Sequence, residues 1–374
     1  VHWATEVHLG PGPAEELLNC SPGSMVILAG NNRLKPAYIQ AATRAGMHVL
    51  ADKPMAIDAA GFESLKEAFA TAEKNHTLLY DIMSERFEIC NVLQKAISQT
   101  KIFGELQKGS INHPAVIKES VHHFKKTVAG KPLIRPVWYM DTREQGEGIT
   151  DVTTHLVDLV QWTCFPEQVL DYRQDIHIES ASAWPTALNL QQFSAVTGAN
   201  ELTPELKELQ GKDEKLNVYA NGAFSYTIKG IHAHVAVQWK YEAPAGAGDT
   251  HYSLLRGSKA SLMILQDKEQ NYQPTLYIEP VNNTAEYIAE MKMEFGKLEP
   301  HYPGTTLKQQ KERWEVIIPE ALKKGHERLF AKVTRQFLKY IAEGKMPEWE
   351  IAAMLSKYYT TTKALAVAAR LEKD

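Results

Sequence analysis

What most constrains this chain is an alternation of short apolar runs with helical patterns between residues 25 and 80. Met25-Val26-Ile27-Leu28-Ala29 is a continuous apolar run suited to a strand buried on both faces. After the turn-like Gly30-Asn31-Asn32, the segment Pro36–Ala45 reads as a helix, with proline in its first turn and Gly46 just past its end. Met47–Ala51 is a second apolar run. Phe62, Leu65, Phe69 and Ala72 then recur at helical spacing before Leu78-Leu79-Tyr80. Strands joined by helices of this length predict a parallel, doubly wound α/β sheet, because parallel neighbours need a helical crossover.

From about residue 85 the pattern changes. A helix is expected near Glu85–Gln99, then a long strand over Gly104–His113. Period-two patterns dominate after residue 160, most clearly His232-Ala233-His234-Val235-Ala236-Val237-Gln238-Trp239-Lys240-Tyr241, which predicts a sheet with one buried and one wet face. Tyr252–Leu255 and Ser261–Gln266 flank Arg256–Ala260 as a hairpin. Asn200–Lys215 is loop-like, with one possible turn of helix at Pro204–Leu209, and Glu348–Leu371 is the closing helix. A chain of 374 residues can bury two cores, and the change of pattern divides it into 1–84 and 85–374. A net charge of -4 gives no electrostatic reason to bind nucleic acid, and no apolar stretch approaches the roughly 20 residues of a membrane span. Cys20, Cys90 and Cys164 show neither metal-type spacing nor a disulfide framework, so they read as reduced structural residues.

Two segments carry chemistry. Asp52-Lys53-Pro54 directly follows a predicted parallel strand, and ligands of open α/β sheets bind at the carboxyl ends of strands. Alone, the tripeptide also suits a surface loop. Gly146-Glu147-Gly148-Ile149-Thr150-Asp151-Val152-Thr153-Thr154-His155-Leu156-Val157-Asp158 says more. On a helix Asp151, His155 and Asp158 share one face, while Val152, Leu156, Leu159 and Val160 can bury. A carboxylate beside a histidine orients the ring and suits proton transfer to or from an alcohol. A capping or solvated cluster at a helix start is the structural alternative.

Taken together these segments resemble the Gfo/Idh/MocA family of oxidoreductases. Asn32, Gly46-Met47-His48-Val49 and Asp52-Lys53-Pro54 resemble its TPN…aGkHV…EKP stretch. Arg86-Phe87 and Ile102-Phe103-Gly104-Glu105 resemble the start of its second domain, Gly146 to Asp158 its G-G-x-x-x-D-x-x-x-H-x-x-D helix, and Gly257–Leu262 its late hairpin. The resemblance implies a Rossmann-type domain followed by an α/β domain with a large, mostly antiparallel open sheet, the final helix packing back near the first domain. It implies NAD or NADP as cofactor. Lys53, Asp151 and His155 become the catalytic residues, and Asn32, Asp52, Lys53 and Pro54 the cofactor-binding ones. Lys53 would contact the nicotinamide ribose and the reacting hydroxyl, His155 would move the proton, and Asp151 would bind substrate and tune His155. Relatives often associate through the sheet face, which implies a homodimer or homotetramer.

Some positions depart from the family pattern: Asp52 stands for glutamate, Asn31 for proline, Lys35 for a frequent histidine and Glu147 for glycine. The largest departure is at the front. Only 24 residues precede Met25, fewer than the roughly 30 of a βαβ unit. Gly10-Pro11-Gly12-Pro13 is a poor stand-in for G-x-G-x-x-G, because its prolines remove amide donors. The expectation is a chain incomplete at its amino end, or else one with a crippled nucleotide site. Val1 stands first, so a cleaved export signal would look the same. A cytoplasmic location is expected, with an exported or periplasmic one as the alternative.

Other candidates fit structural roles at least as well. His232 and His234 share a strand face without a third ligand nearby, so no metal site is expected. His122 and His123 are adjacent and should point to opposite faces of a strand. Trp138, Tyr139 and Arg143 suit either sugar stacking or core packing. No serine, histidine and acid set is recognisable as a hydrolase motif. The function expected is NAD(P)-dependent oxidation or reduction of a secondary alcohol on a sugar, inositol or derivative. The alternatives are glycoside cleavage through transient oxidation, or a non-catalytic relative.

Overall fold

The structure is a computed structural model that describes residues 21–128 and 130–371. The glycine–proline segment and Cys20 lie outside the described residues, and so does the expectation of an incomplete nucleotide site.

Five elements build the first sheet: β1 (Met25–Leu28), α1 (Lys35–Arg44), β2 (His48–Asp52), α2 (Ala59–Lys74) and β3 (Leu79–Ile82). The strands run parallel in the order β1-β2-β3, with Val26 opposite Val49 and Val49 opposite Leu79. Asp58 caps α2 by accepting from the Gly61 amide at 2.7 Å. Phe62, Leu65, Phe69 and Ala72 are buried, the face their spacing predicted.

A 3-10 turn at Ser84–Phe87 leads into α3 (Ile89–Ser98). The strand expected at Gly104–His113 is instead a loop. Gly104 and Gly109 adopt positive φ angles of 74° and 67°, which bend the chain out of any strand. A Cβ on Gly109 would lie 2.4 Å from the Ala115 amide. Pairing begins only at β4 (Val116–Lys125). There follow the short pair β5 (Thr127–Val128) and β6 (Lys131–Pro132), then α4 (Thr142–Gln145), α5 (Thr153–Cys164), α6 (Tyr172–Asp175), β7 (Ile176–Leu188), α7 (Leu190–Thr197) and α8 (Pro204–Lys207). Next come β8 (Leu216–Ile228), β9 (Ile231–Glu242), β10 (Thr250–Arg256), β11 (Ala260–Gln266) and β12 (Thr275–Pro280). The chain closes with α9 (Ala285–Gly296), β13 (Thr306–Gln310), β14 (Arg313–Ile317), α10 (His326–Glu343) and α11 (Glu348–Leu371). Nine strands form the second sheet in the order β13-β14-β12-β11-β10-β4-β9-β8-β7, antiparallel except between β4 and β9. Gly257-Ser258-Lys259 is the β10–β11 turn, as the sequence predicts.

Helices α3 and α5 cover one face of this sheet. Leu93, Ile97, Leu156, Val157 and Val160 pack there against Val116, Phe224, Val235 and Leu255. The closing helix α11 joins both cores: Ala364 and Ala368 belong to this cluster, whereas Met354 and Tyr358 pack with Leu50, Leu65 and Tyr80. No described helix is long and apolar enough to cross a membrane.

A buried ion-pair network crosses the same junction. Arg86 donates through Nε and Nη2 to Asp158 at 2.6 and 2.7 Å, and through Nη1 to Glu350 at 2.8 Å. Lys357 on α11 bridges Asp158 at 2.8 Å and Asp81 on β3 at 2.7 Å. Asp158 therefore does not join Asp151 and His155 at a shared polar surface. It lies three residues past His155, on the part of α5 that has passed into the core.

Candidate active site

Lys53 lies one residue beyond β2, and the Lys53–Pro54 peptide is cis. Asp52 Oδ1 accepts the Lys53 amide at 2.9 Å, so the shorter acid closes a tight contact within its own turn. Lys53 Nζ donates to Asp151 Oδ1 at 2.6 Å, between side chains 18% and 7% exposed. Gln145 Nε2 donates to the other oxygen, Asp151 Oδ2, at 3.0 Å. An ammonium has three donors and Asp151 takes one, which leaves two that suit ribose and substrate hydroxyls.

Asp151 can reach Lys53 because the approach to α5 is tight. Gly148 donates to Tyr219 O at 3.0 Å, and a Cβ on Gly148 would lie 2.1 Å from the Ala220 carbonyl oxygen. Gly148, not the Glu147 that replaces the family's second glycine, is where a side chain is sterically barred.

The loop after β1 is held to α4, just before the Asp151 helix. Asn32 Nδ2 donates to Gln145 O at 2.7 Å, and the Asn32 and Arg33 amides donate to Glu144 O at 3.2 and 3.0 Å. Asn32 Oδ1 accepts Lys35 Nζ at 2.6 Å, and Lys35 Nζ also donates to Asp52 O at 2.8 Å. Both ends of the Asn32 amide are thus engaged within the protein. Burial pushes the Lys35 amine down to about 8, with Lys53 adding to that and Asp52 and Asp151 opposing it. Gln145 and Lys35 were missed as parts of the site. The signals for them were the place of Gln145 beside Gly146 and the place of Lys35 at a frequent histidine position of the family pattern.

His155 lines a cleft of about 380 Å³ together with Val152, Leu156 and Leu159 of α5. Glu85, Glu88 and Asn91 form a second wall, and burial raises both glutamate carboxyls. For Glu85 this is opposed by the charge of nearby Lys53. The sheet wall presents Ser120, His122, Asp249 and His251. His122 faces the cleft and packs beside Trp239, its partner on β9, whereas His123 is buried and does not line the cleft. Their Nδ1 atoms nevertheless lie 3.3 and 2.9 Å from the two oxygens of one carboxylate, Asp249. The β4–β10 pairing ends at Val121 and Thr250, so Asp249 stands beyond the last rung, where it reaches both rings. His122 Nε2 is also 2.9 Å from Ser120 Oγ, so the fold assembles a serine, histidine and acid set that sequence order concealed.

The remaining candidates are structural. Tyr139 packs near Trp239 and under the Arg135 guanidinium, and Arg143 pairs with Asp141 and Glu208. His232 and His234 have separate partners, Glu179 and Ser225, and no metal-binding cluster occurs among the described residues. Cys90 and Cys164 are free thiols.

The chain is similar throughout its length to oxidoreductases. Residues 8–80 match the family model "Oxidoreductase family, NAD-binding Rossmann fold", and residues 93–369 match "Putative oxidoreductase C terminal domain". A solved structure of a "putative oxidoreductase" from Parabacteroides merdae is 47% identical, with a TM-score of 0.94 over 97% of this chain and 84% of that one. The fold is shared with levoglucosan dehydrogenase bound to NADH and levoglucosan, at 13% identity and a TM-score of 0.62 over 95% of this chain and 81% of that one. A 3-ketoreductase from Actinomadura kijaniata, solved with NADP and TDP-benzene, has 16% identity and a TM-score of 0.56 over 95% and 80%. A search of the curated proteins finds no match. A Rossmann-like parallel sheet joined to a large antiparallel sheet defines the class as nicotinamide-dependent oxidoreductases. The chain belongs to the Gfo/Idh/MocA family, and is an NAD(P)-dependent enzyme of it.

Proposed function

We propose that the protein moves a hydride between NAD(P) and a secondary alcohol carbon of a sugar, inositol or related polyol, with Lys53, Asp151 and His155 as its catalytic residues. One observation carries this reading: Lys53, at the carboxyl end of a parallel strand, meets Asp151 of the α5 approach at 2.6 Å beside the cleft that His155 lines. When bound, the nicotinamide supplies the hydride acceptor or donor. Lys53 would hold the ribose and the reacting hydroxyl with its remaining donors, and Asn32 would pack beside it. In oxidation His155 takes the hydroxyl proton as the hydride leaves carbon, and in reduction it returns that proton to the oxygen. Asp151 fixes the Lys53 ammonium in place, and Gln145 holds Asp151. A levoglucosan dehydrogenase and a 3-ketoreductase share the fold, and levoglucosan, a sugar derivative, is the ligand of the first, which supports a carbohydrate as substrate.

One observation favours glycoside cleavage through transient oxidation as a second reading: half-buried carboxyls with raised proton affinity, Glu85 and Glu88, line the cleft and could protonate a leaving group. The test is a panel of sugars and polyols with NAD and NADP on wild type and His155→Ala. Cofactor-dependent turnover is expected in wild type, with at least a hundredfold loss in the variant. Equal rates in both would remove His155 from its role. Release of a chromogenic aglycone without net NADH formation would select the second reading.

A further inference from the structure

The cleft has a wall that the hydride-transfer chemistry does not use. On β4 and β10, Ser120 is paired in register with His251, and His122 stands opposite Asp249 just past the last rung. These four residues face the cleft from the sheet, while His155 faces it from α5. We propose that Ser120, oriented by His122 and Asp249, forms a distal subsite that accepts a hydrogen bond from a hydroxyl of a neutral carbohydrate, remote from the carbon that reacts.

The direction of the hydrogen bonds follows from chemistry. Asp249 can only accept, so a neutral His122 ring carries its single proton on Nδ1, 3.3 Å away. Nε2 then holds a lone pair and accepts the Ser120 hydroxyl proton across 2.9 Å. With its proton committed, Ser120 Oγ offers only lone pairs, and a group meeting it must donate. Ser120 is 7% exposed, so a ligand reaching it is largely desolvated and an analogue without the donor leaves the oxygen unpaired.

The charges around the subsite select a neutral ligand. Asp249 is engaged by His122, His123 and Lys126 at 3.3, 2.9 and 3.1 Å. Burial alone would raise the Asp249 carboxyl, but those two histidines and Lys126 hold it well below the usual carboxylate range, so it is already neutralised and offers little to a cation. Burial first, then the charge of Lys118, push His251 down to about 3, so it stays an uncharged imidazole. Glu85 and Glu88 on the facing wall disfavour an anion. A polyhydroxylated ring meets all of these conditions.

This inference rests on the proposed carbohydrate specificity, and the test separates the two. Calorimetry in saturating NADH would measure binding of myo-inositol, D-glucose, D-galactose, levoglucosan and cellobiose to wild type, Ser120→Ala and His122→Asn. At least one should bind wild type, and that one should bind about tenfold more weakly to Ser120→Ala and His122→Asn. The NADH affinity of Ser120→Ala should stay within twofold of wild type. Circular dichroism would check that each variant folds. Wild-type affinity in both subsite variants would overturn the subsite, as would the absence of any binding to wild type. A carbohydrate that binds through Ser120 but is never oxidised or reduced would instead overturn the proposed reaction.

Discussion

Removing Asp158 or Arg86 from the junction should destabilise the protein unequally, and charge accounting sets the order. The cluster holds three carboxylates, Asp81, Asp158 and Glu350, and two cations, Arg86 and Lys357. It is finished by Tyr358 donating to Asp81 at 2.9 Å and by Tyr80 and Tyr340 donating to Glu350 at 3.3 and 3.2 Å. Asp158→Asn removes three charge-assisted hydrogen bonds, yet Arg86 keeps Glu350 and Lys357 keeps Asp81. Breaking a buried pair costs about 3–5 kcal/mol when a charge is left uncompensated, so this variant belongs at the low end, about 3 kcal/mol. Arg86→Met leaves three buried carboxylates facing one lysine, and about 5 kcal/mol is expected. Urea unfolding at pH 7 would measure both. A cost below about 1 kcal/mol for Arg86→Met, or the reverse order, would refute the assignment. The pH dependence has a definite sign. Burial alone would raise the Asp158 carboxyl, but Arg86 and Lys357 hold it far below the ordinary range. Its folded-state affinity for protons is depressed, so its contribution is full above the unfolded value of about 3.9 and disappears only as pH falls toward the folded one.

Two further outcomes follow from buried groups. Lys118 is fully buried, bonded only to Gln94 and Ser253 at 3.2 and 2.8 Å, and burial pushes its amine from 10.5 down to about 8. The folded protein sheds this proton before the unfolded chain does, so stability should rise between pH 8 and 10.5. Lys118→Met should flatten part of that rise and stabilise the protein by about 2 kcal/mol at pH 7, because Gln94 and Ser253 already bond each other at 3.1 Å; a loss of stability there would refute this account. Gly148→Ala should cost about 2–4 kcal/mol and most of the activity, since the new Cβ meets a strand carbonyl and Asp151 lies three residues on. Wild-type kcat and unfolding midpoint in that variant would show that the approach to α5 can give way.

What sequence could reveal depended on how far apart the interacting residues lie. The strands, helices and turn chemistry that place Lys53 and Asp151 are local, so period, proline and glycine disclosed them. The Gly104–His113 segment is a loop rather than a strand because Gly109 turns tightly against Ala115, and because Gly104 answers to the distant turn at Ser258 and Lys259, where Leu106 also bridges Gly257. His122 and His123 stay in register with Trp239 and Lys240 of β9, but their convergence on Asp249, 127 and 126 residues away, is invisible to any local pattern.

Asp158 illustrates the same limit at the site itself. Spacing puts it on one helix face with Asp151 and His155, but the helix begins only at Thr153, after Asp151, and its face passes from cleft to core between His155 and Asp158. Lys357, 199 residues away, decides that. The consequence is mechanical. One helix carries His155 at the cleft and Asp158 in an ion-pair network that reaches both cores, and Asp151 stands just before its first turn. A buried network with fixed geometry holds α5 in a single register against the first sheet. Lys53 and Asp151 can therefore meet at 2.6 Å, across an interface that exposed contacts alone would leave free to slide.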